Sequence, residues 1–335
     1  MEEKIKISIP KSTYDILIKD CEAFKFFKTN ETLNKNQFIN TLIMNYYEHF
    51  SSDEEKLHDE IKKALNNACS LNEDLFNDII KIIAKRENTH ITDSTTVSLH
   101  FKPTKLSFKA INYIENVLIK NEAISSYYRR LFNSYANHPL NQRELIIFKD
   151  NVDLIHKAIN KKVKVCITLT SGAVNNDASI YKLASSKDEL YNYVLICDTN
   201  GNPHTIRLAN ILDCSLLSAS SNIPENIKEI FERQIKYGAQ YPIMKNETDE
   251  IAVKLSDRGI ELFKRIYLYR PQVERIDGNI YYFKCSYNQI THYFKRFGND
   301  ALILSPTKLG EQMKNYYHYA GKAYKELYPY KKQSH

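Results

Sequence analysis

The stretch 192-NYVLICDTNGNPHTIRLANILDCSLL-217 determines the fold that we predict for the middle of the chain. The apolar run Tyr191–Cys197 is typical of a strand, and Thr199–Asn202 contains the Asn-Gly pair of a hairpin turn. His204–Leu217 resumes the strand pattern. Upstream, 163-VKVCITL-169 alternates side chains as a half-buried strand does. Short strands joined by turns predict a small β-barrel.

Further signals complete this segment. Leu145–Ile159 has the periodicity of a helix, Ser171-Gly172 indicates a turn, and Ile180–Leu183 predicts another short strand. His138-Pro139 marks a boundary before them, because the residue before a proline disfavours helix. We therefore predict that the barrel domain occupies residues 141–222.

The order of these elements resembles a WYL domain, an SH3-like barrel named for an aromatic-Tyr-Leu run. That run corresponds to Tyr193-Val194-Leu195, with valine in place of the middle tyrosine, and a later Arg-Leu-Asp-Arg type segment corresponds to Arg207–Asn210. The resemblance implies that Tyr193 and Arg207 lie beside a ligand groove, with His204 as the basic residue upstream. Arg207 would hold a phosphate by paired hydrogen bonds, although an exposed arginine also commonly pairs with an acidic neighbour.

A second resemblance covers the C-terminal part, residues 223–335. After a helix at 224–237, the predicted order is strand Ile251–Leu255, helix 256–266, strands 267–275 and 279–285, helix 287–297, strand Ala301–Leu304 and helix 306–325. This βαββαβ order is that of a ferredoxin-like domain. The stretch 296-RFGNDALILSPTKLGEQM-313 resembles the extension that usually follows a WYL domain.

Residues 1–50 predict a strand followed by two helices, with isoleucines alternating with polar residues at positions 4–9. This unit resembles half of a ribbon-helix-helix module, whose paired strands enter the DNA major groove. A lysine-guarded edge strand accounts for the same pattern equally well. If the resemblance holds, the residues that face the groove or approach a phosphate at the second helix N-terminus are Lys4, Lys6, Ser8, Asn34 and Lys35.

Residues 51–137 predict two connecting helices, at 54–68 and 72–87, and then a weaker copy of the first pattern. Val97, Leu99 and Phe101 alternate with polar residues, and Val97 follows Ile5 by 92 residues. One strand and two short helices cannot bury their apolar faces alone. We therefore expect the first strand to pair, either with this degenerate second unit or with another chain.

The net charge of +7 comes from the last quarter of the chain. Residues 250–335 contain 15 basic and 8 acidic residues, together with 12 of the 24 tyrosines. Cations attract phosphates and aromatic faces stack on bases, so this interleaving predicts nucleic-acid contact. Helix-dipole stabilisation explains the cations that end helices equally well. The candidate contact residues are Lys264, Arg265, Tyr267, Arg270, Arg275, Lys295 and Arg296.

Several classes of protein are disfavoured. No apolar run is long enough to span a membrane, and the start Met-Glu-Glu-Lys lacks the apolar core of a secretory signal. The six cysteines form no C-x-x-C pair, which argues against a zinc module and a disulfide scaffold. Phosphate-binding glycine motifs and hydrolase or kinase signatures are absent. We expect a cytoplasmic protein without metal or cofactor that is not an enzyme.

Together these features predict an α+β protein with a ribbon-helix-helix-like helical module, a central SH3-like β-barrel (WYL) and a C-terminal ferredoxin-like βαββαβ domain. A ribbon-helix-helix unit before a single WYL domain resembles the accessory proteins of type VI (VI-D) CRISPR-Cas systems. The resemblance implies a non-catalytic homodimer that binds nucleic acid, preferably single-stranded RNA, and stimulates an RNA-guided ribonuclease. The alternative is a ligand-responsive, DNA-binding transcription regulator, which would prefer duplex half-sites about one helical turn apart.

Overall fold

Helices and antiparallel sheets alternate along the chain in the computed structural model, which describes residues 4–68, 76, 79, 95–119, 123–247 and 250–328. The chain divides into two compact units, Met1–Val152 and Asp153–His335. The predicted mixture of helix and sheet is therefore confirmed. The helix predicted at 72–87 lies outside the described residues, apart from Phe76 and Ile79.

The N-terminal unit contains one two-stranded sheet and several helices. Its elements are β1 (Ile5–Pro10), α1 (Lys11–Ala23), α2 (Lys35–Ala68), β2 (Thr96–Phe101), α3 (Phe108–Tyr113, continued by a π-helical turn over Ile114–Leu118), α4 (Ile124–Asn137) and α5 (Leu140–Ile147). The helix predicted separately at 54–68 is wrong as a separate element, because α2 continues through Ala68. Ser51, Ser52 and Asp53 suggest a helix start in the sequence, but they lie inside α2.

The strand β1 pairs with β2 of the same chain. The pairing is antiparallel, from Ile5 opposite Phe101 to Pro10 opposite Thr96. The Lys11 amide donates to the Thr95 carbonyl at 3.1 Å, so Lys11 and Thr95 form a hydrogen-bonded pair. Hydrogen-bonded and non-hydrogen-bonded pairs alternate along an antiparallel ladder, so the next pair, Pro10 and Thr96, is not hydrogen-bonded. Proline fits this position because it has no N–H to donate. The second strand is confirmed, and β1 has its partner without a second copy of the chain.

Two reciprocal hydrogen bonds tie the strand–helix–helix units together. The Thr13 hydroxyl in α1 donates to Asn133 Oδ1 in α4 at 2.8 Å. The Ser107 hydroxyl, just before α3, donates to Asn40 Oδ1 in α2. In each case a hydroxyl at the first helix of one unit bonds an asparagine on the second helix of the other. The separation of Thr13 from Ser107 and that of Asn40 from Asn133 are both close to the 92-residue offset between the strands. The two strand–helix–helix units are therefore related as approximate copies.

A buried ion pair joins α1 to the later helices. Asp20 is 2% exposed, and its two oxygens accept from Arg143 Nε at 2.6 Å and Nη2 at 3.1 Å. The Tyr135 hydroxyl also donates to Asp20, at 2.8 Å. Burial and the nearby carboxylate raise the pKa of Tyr135, so this hydroxyl remains a donor. Arg143 Nη1 donates to the His138 carbonyl at 2.6 Å, so the guanidinium links α1 to the turn between α4 and α5.

The second unit begins within α6 (Lys149–Lys161) and continues with a five-stranded antiparallel sheet. The strands are β3 (Val163–Leu169), β4 (Val174–Ser185), β5 (Asn192–Cys197), β6 (Pro203–Arg207) and β7 (Ile211–Ser220), in the spatial order β6-β5-β4-β3-β7. The predicted helix Leu145–Ile159 is two helices, α5 and α6, separated at Phe148. The strand predicted at Ile180–Leu183 is the middle of the longer β4.

The predicted single strand His204–Leu217 is wrong, because a 3-10 turn at Leu208–Asn210 divides it. This turn connects β6 and β7, which are the two edges of the sheet. A flat sheet would hold these edges about 19 Å apart, whereas the four residue steps from Arg207 to Ile211 reach at most about 14 Å. The sheet must therefore curl so that its edges approach each other.

The helix α7 (Glu225–Tyr237) covers one face of this curled sheet. Ile227 and Phe231 pack with Leu195 and Cys197 of β5. Gln234, which is also buried, donates to the Thr205 hydroxyl at 2.8 Å and to the Ala239 carbonyl at 2.7 Å. The helix predicted at 224–237 is confirmed.

The C-terminal part of the second unit contains a four-stranded antiparallel sheet. Its elements are β8 (Ile251–Leu255), α8 (Asp257–Arg265), β9 (Val273–Asp277), β10 (Ile280–Phe283), α9 (Tyr287–Phe294), β11 (Ala301–Ser305) and α10 (Thr307–Leu327), with the strand order β11-β8-β10-β9. The helices bury aromatic rings against one face, with Phe263 and Phe294 stacked 6.1 Å apart. The strand predicted at 267–275 begins only at Val273, so Arg270 lies in a loop.

The buried Asp20–Arg143 pair yields a stability prediction. Asp20→Ala leaves the largely buried Arg143 guanidinium and the Tyr135 hydroxyl without their shared acceptor, so we expect a loss of about 3–5 kcal/mol. The control is Glu225→Ala, which breaks the exposed pair with Lys228 and should cost less than about 1 kcal/mol. Urea unfolding of the full chain measures both, and equal midpoints for Asp20→Ala and the native chain would contradict this role.

The intrachain pairing of β1 with β2 can be tested by cross-linking. Ser8 and Ser98 face each other at a pair that is not hydrogen-bonded, where Cα atoms lie about 4.5 Å apart. We expect mild oxidation of the Ser8→Cys, Ser98→Cys double variant to form a disulfide within one chain. Non-reducing electrophoresis and intact mass distinguish this product from a disulfide-linked dimer, which would show that the strands pair between chains.

Candidate nucleic-acid interface

The outer face of the β1–β2 ribbon carries cations and hydroxyls. Lys4 and Lys6 are exposed, and Ser8 is half-buried. The register places His100 opposite Lys6 and Ser98 opposite Ser8, and both partners are exposed. No carboxylate belongs to this face within the described strand residues. The structure therefore brings Lys4, Lys6 and Ser8 together on one polar, basic surface.

The two residues predicted at the start of α2 have partners within the chain. Asn34 caps the helix, because its Oδ1 accepts from the Gln37 amide at 3.2 Å. The Lys35 ammonium donates to the Tyr14 hydroxyl at 3.0 Å and lies 5.5 Å from the centre of that ring. Lys35 is exposed, so its charge still contributes to the surface potential around the helix N-terminus.

In the curled sheet, the structure places Tyr193 directly opposite Arg207 across β5 and β6. The Arg207 guanidinium lies 3.5 Å from the centre of the Tyr191 ring. The Tyr193 hydroxyl donates to the Glu189 carboxylate at 2.5 Å. Stacking holds a guanidinium plane in a fixed orientation, and such a plane can form forked hydrogen bonds with a phosphate or stack on a base. Tyr193 and Arg207 are therefore cross-strand neighbours, and their position beside a ligand groove stays a prediction.

His204 is not part of this arrangement. It lies three positions before Arg207 in β6, and residues an odd number of positions apart in a strand point to opposite sides. Its Nε2 lies 2.9 Å from Asp198 Oδ2, and the Asn202 amide donates to Asp198 Oδ1 at 2.7 Å. Burial alone would raise the pKa of Asp198, but these hydrogen bonds outweigh it and lower the pKa. His204 therefore stabilises the hairpin turn between β5 and β6.

At the end of α8, exposed cations and one exposed ring lie close together in the sequence. Lys264 and Arg265 are exposed in the last turn, and Tyr267 is 77% exposed. Arg270 Nη1 donates to the carbonyls of Phe263 and Lys264 at 3.2 and 3.5 Å, which satisfies acceptors at the helix end. Part of the Arg270 donor capacity is therefore used within the chain.

The remaining predicted cations also fall into two groups, those that bind partners within the chain and those that are exposed. Arg275 pairs with Glu250 at 2.9 Å, and its guanidinium lies 3.2 Å from the centre of the Tyr282 ring. Arg296 donates to the Tyr293 carbonyl at the end of α9, at 3.0 Å. Lys295, its neighbour, is exposed. Among the predicted cations of this C-terminal part, Lys264, Arg265 and Lys295 have neither an ion pair nor a side-chain hydrogen bond within the described residues.

The two cations at the end of α9, Lys295 and Arg296, also lower the pKa of His292 on that helix. Burial lowers the pKa of His292, and the positive charges of Lys295 and Arg296 lower it further. The ring lies edge-on to Tyr269, with centroids 5.6 Å apart. His292 is therefore neutral at pH 7 and adds an aromatic face, rather than a charge, near the end of α9.

Two rings that support arginines were missed by sequence analysis. Tyr191 lies under Arg207, and Tyr282 lies under Arg275. The hairpin formed by β9 and β10 places Arg275 opposite Tyr282. A sequence prediction with the correct bounds for these two strands would therefore have indicated the contact. Tyr191 precedes β5 and belongs to no strand pair, so alternation carries no signal for it.

Other kinds of site receive no support from the described part of the chain. No group of three or more His, Cys, Asp or Glu residues there could hold a metal ion. Five cysteines within it are free, and all but Cys166 are buried. Burial raises the pKa of Cys21 and Cys214 to about 11, which keeps these thiols protonated. Within the same residues, no helix is both long and apolar enough to cross a membrane.

Comparison with known proteins identifies a shared fold but no family. No protein-family model matches the chain, and no curated protein matches it. A solved structure of a CRISPR Cas-related protein aligns with 98% of this chain and 95% of its own, at 18% identity and a TM-score of 0.65. The proteasome accessory factor B/C (PafBC) of Arthrobacter aurescens gives a TM-score of only 0.25 at 11% identity, over 68% of this chain and 36% of its own. The first similarity shows that the fold is shared along nearly the whole chain.

Exposure separates two tyrosines that look alike in the sequence. Tyr293 is fully buried and its hydroxyl donates to the Ile266 carbonyl, so Tyr293→Ala should lower the free energy of unfolding by about 3–5 kcal/mol. Tyr267 is exposed, so Tyr267→Ala should change it by less than about 0.5 kcal/mol. Thermal unfolding measures both, and similar losses for the two variants would show that Tyr267 belongs to the core.

Proposed function

We propose that this chain is a non-catalytic nucleic-acid-binding accessory protein that prefers single-stranded RNA and modulates an RNA-guided CRISPR ribonuclease. The observation that carries the proposal is the surface at the ends of α8 and α9. There the exposed Tyr267 follows two exposed cations, and Lys295 adds a third. Cations that follow a phosphate backbone, together with an exposed ring that stacks on a base, are the elements of a single-strand binding surface.

The curled sheet supports the proposal independently. Arg207 is oriented by Tyr191 and lies opposite Tyr193, so an oriented guanidinium and two aromatic rings lie near one edge of the sheet. Single-stranded RNA is recognised by stacking on aromatic rings and arginine planes. We infer that Tyr193 and Arg207 contribute a second contact along the same strand.

The CRISPR association rests on the shared fold with a CRISPR Cas-related protein. We also propose the domain layout: a ribbon-helix-helix-like module with an intrachain second copy, an SH3-like WYL barrel and a ferredoxin-like C-terminal domain. The strand order β11-β8-β10-β9 is the arrangement that a βαββαβ chain gives in the last of these. We retain the absence of catalysis and the homodimer as proposals, and the type VI (VI-D) effector as the proposed partner.

The second candidate function is a ligand-responsive, DNA-binding transcription regulator. The ribbon favours it, because Lys4, Lys6 and Ser8 project from a two-stranded surface that carries no carboxylate within its described residues. A two-stranded ribbon of this size fits the major groove of B-DNA. In this case Lys4→Ala and Lys6→Ala would weaken duplex binding, whereas Tyr267→Ala would not.

A direct comparison of ligands distinguishes the two functions. We would titrate the chain with single-stranded RNA and with duplex DNA at one salt concentration, because affinities at different salt concentrations are not comparable. Tighter binding of RNA, weakened by Tyr267→Ala, supports the accessory function. Preference for duplex DNA that depends on Lys4 and Lys6 supports the regulator.

The cations at the ends of α8 and α9 give a quantitative prediction. Replacing Lys264, Arg265 and Lys295 with Ala should flatten the dependence of log affinity on log salt by roughly 2 units for single-stranded RNA, about 0.7 for each phosphate contact. Tyr267→Ala should instead weaken binding by about 1–3 kcal/mol and leave the slope unchanged. The matched control replaces the exposed Lys157, Lys161 and Lys182, which lie on α6 and β4 of the same unit. If the control flattens the slope equally, only net charge matters and this surface is not the binding site.

Modulation of the nuclease requires its own measurement. We expect the chain to increase target-RNA cleavage by a type VI effector with its guide, and the Lys264, Arg265, Lys295 triple variant to increase it less. Unchanged cleavage in the presence of a chain that binds RNA would remove the effector from the proposal while leaving the RNA-binding role.

A further inference from the structure

The last helix, α10, extends beyond the part of the unit on which it packs. Leu309 and Met313, near its start, are buried, and the Tyr317 hydroxyl donates to the Lys295 carbonyl at the end of α9, at 3.0 Å. All residues from Gly321 to Tyr328 are exposed. The last two turns of α10 therefore present side chains that the rest of the unit does not cover.

Three rings on one side of α10 form what we call the aromatic face: Tyr317, Tyr324 and Tyr328. Residues four or seven positions apart return to the same side of an α-helix. The Tyr328 amide donates to the Tyr324 carbonyl at 2.8 Å, which keeps the last turn helical. Tyr317 is half-buried against the end of α9, whereas Tyr324 and Tyr328 are each 69% exposed. The side of α10 that packs on the unit thus continues as an exposed row of rings, and exposed patches of this kind mark interaction sites.

The charges of α10 are distributed unevenly around its axis. At about 100° per residue, Lys314 and Lys325 border the aromatic face, whereas both carboxylates of the helix, Glu311 and Glu326, lie on the far side. Neither Lys314 nor Lys325 has an ion pair within the residues that the structure describes. Rings that are bordered by cations and have no carboxylate beside them match the bases and phosphates of a single strand.

We propose that the aromatic face of α10 binds single-stranded RNA and continues the surface at the ends of α8 and α9 along the helix. This inference rests on the RNA binding proposed above and adds a further part to its contact surface. Lys295 connects the two parts, because its side chain is exposed at the end of α9 and its carbonyl holds Tyr317, the first ring of the aromatic face.

The geometry gives each group of the aromatic face a role. The exposed rings of Tyr324 and Tyr328 stack on bases, and the bordering Lys314 and Lys325 contact phosphates. From Tyr317 to Tyr328 the helix rises about 16 Å, which is the length of about five stacked nucleotides. A strand that passes Lys295 therefore gains several further contacts along α10.

The test compares two tyrosines that are almost equally exposed on opposite sides of α10. Tyr324→Ala removes a ring from the aromatic face, where Tyr324 is 69% exposed, and Tyr319→Ala removes one from the far side, where Tyr319 is 68% exposed. Tyr324→Ala should weaken the binding of an all-uridine RNA roughly tenfold, whereas Tyr319→Ala should leave it unchanged. Neither variant should lower the melting temperature, because both side chains are exposed.

The lysines give a second comparison with equal charge removal. Replacing Lys314 and Lys325 with Ala should flatten the dependence of log affinity on log salt by about 1.4 units, about 0.7 for each phosphate contact. The matched control replaces Lys308 and Lys322, which lie on the far side of α10, where Lys322 pairs with Glu326 at 4.0 Å. The control should leave the slope unchanged.

Three other outcomes would overturn the inference. A native chain that does not bind the all-uridine RNA overturns both this inference and the RNA binding on which it rests. Equal effects of Tyr324→Ala and Tyr319→Ala, or of the two lysine pairs, remove α10 from the surface and leave the ends of α8 and α9 as the RNA contact. Sedimentation without RNA tests the third outcome: a lower mass for Tyr324→Ala than for the native chain would show that the aromatic face joins two copies instead.

Discussion

The antiparallel pairing of β1 with β2 is the contact on which the N-terminal unit depends, because neither strand has another neighbour in the two-stranded sheet. The pairing places Ile7, Ile9, Leu99 and Phe101 on one face, where all four are buried. It also positions the helices that follow each strand, so that the Thr13–Asn133 and Asn40–Ser107 bonds form reciprocally. Burial on one face leaves only polar side chains for the other, and the basic outer surface is a consequence of the same alternation.

The cations that give the C-terminal quarter its excess positive charge fall into two groups. Arg270 and Arg296 donate to carbonyls at the ends of α8 and α9, and Arg275 is paired and stacked. Lys264, Arg265 and Lys295 remain exposed. Arginine predominates in the first group because its planar fork can donate to carbonyls while stacking on a ring. Charge counts alone therefore overstate the number of cations available to a phosphate backbone.

The sequence predicted the elements whose periodicity is local. The bounds of β8 agree residue for residue, and β1 and α7 agree within one residue. The sequence-based prediction failed where tertiary contacts determine whether a residue is buried or where a strand ends. Tyr293 and Tyr267 both lie beside cations, but only packing against α8 shows that Tyr293 belongs to the core. The break at Leu208–Asn210 accompanies the curling of the five-stranded sheet, which alternation within a strand does not encode.

The internal pairing of the ribbon also removes a symmetry constraint. When two identical chains form a ribbon, both strands present the same side chains, and any duplex they recognise must be palindromic or nearly so. Here the position equivalent to Lys6 is Ser98 and the position equivalent to Ser8 is His100, so the two strands present different side chains on the outer face. Each half of the surface can therefore change by mutation without altering the other. A target of this ribbon can be directional, with a distinct left and right half.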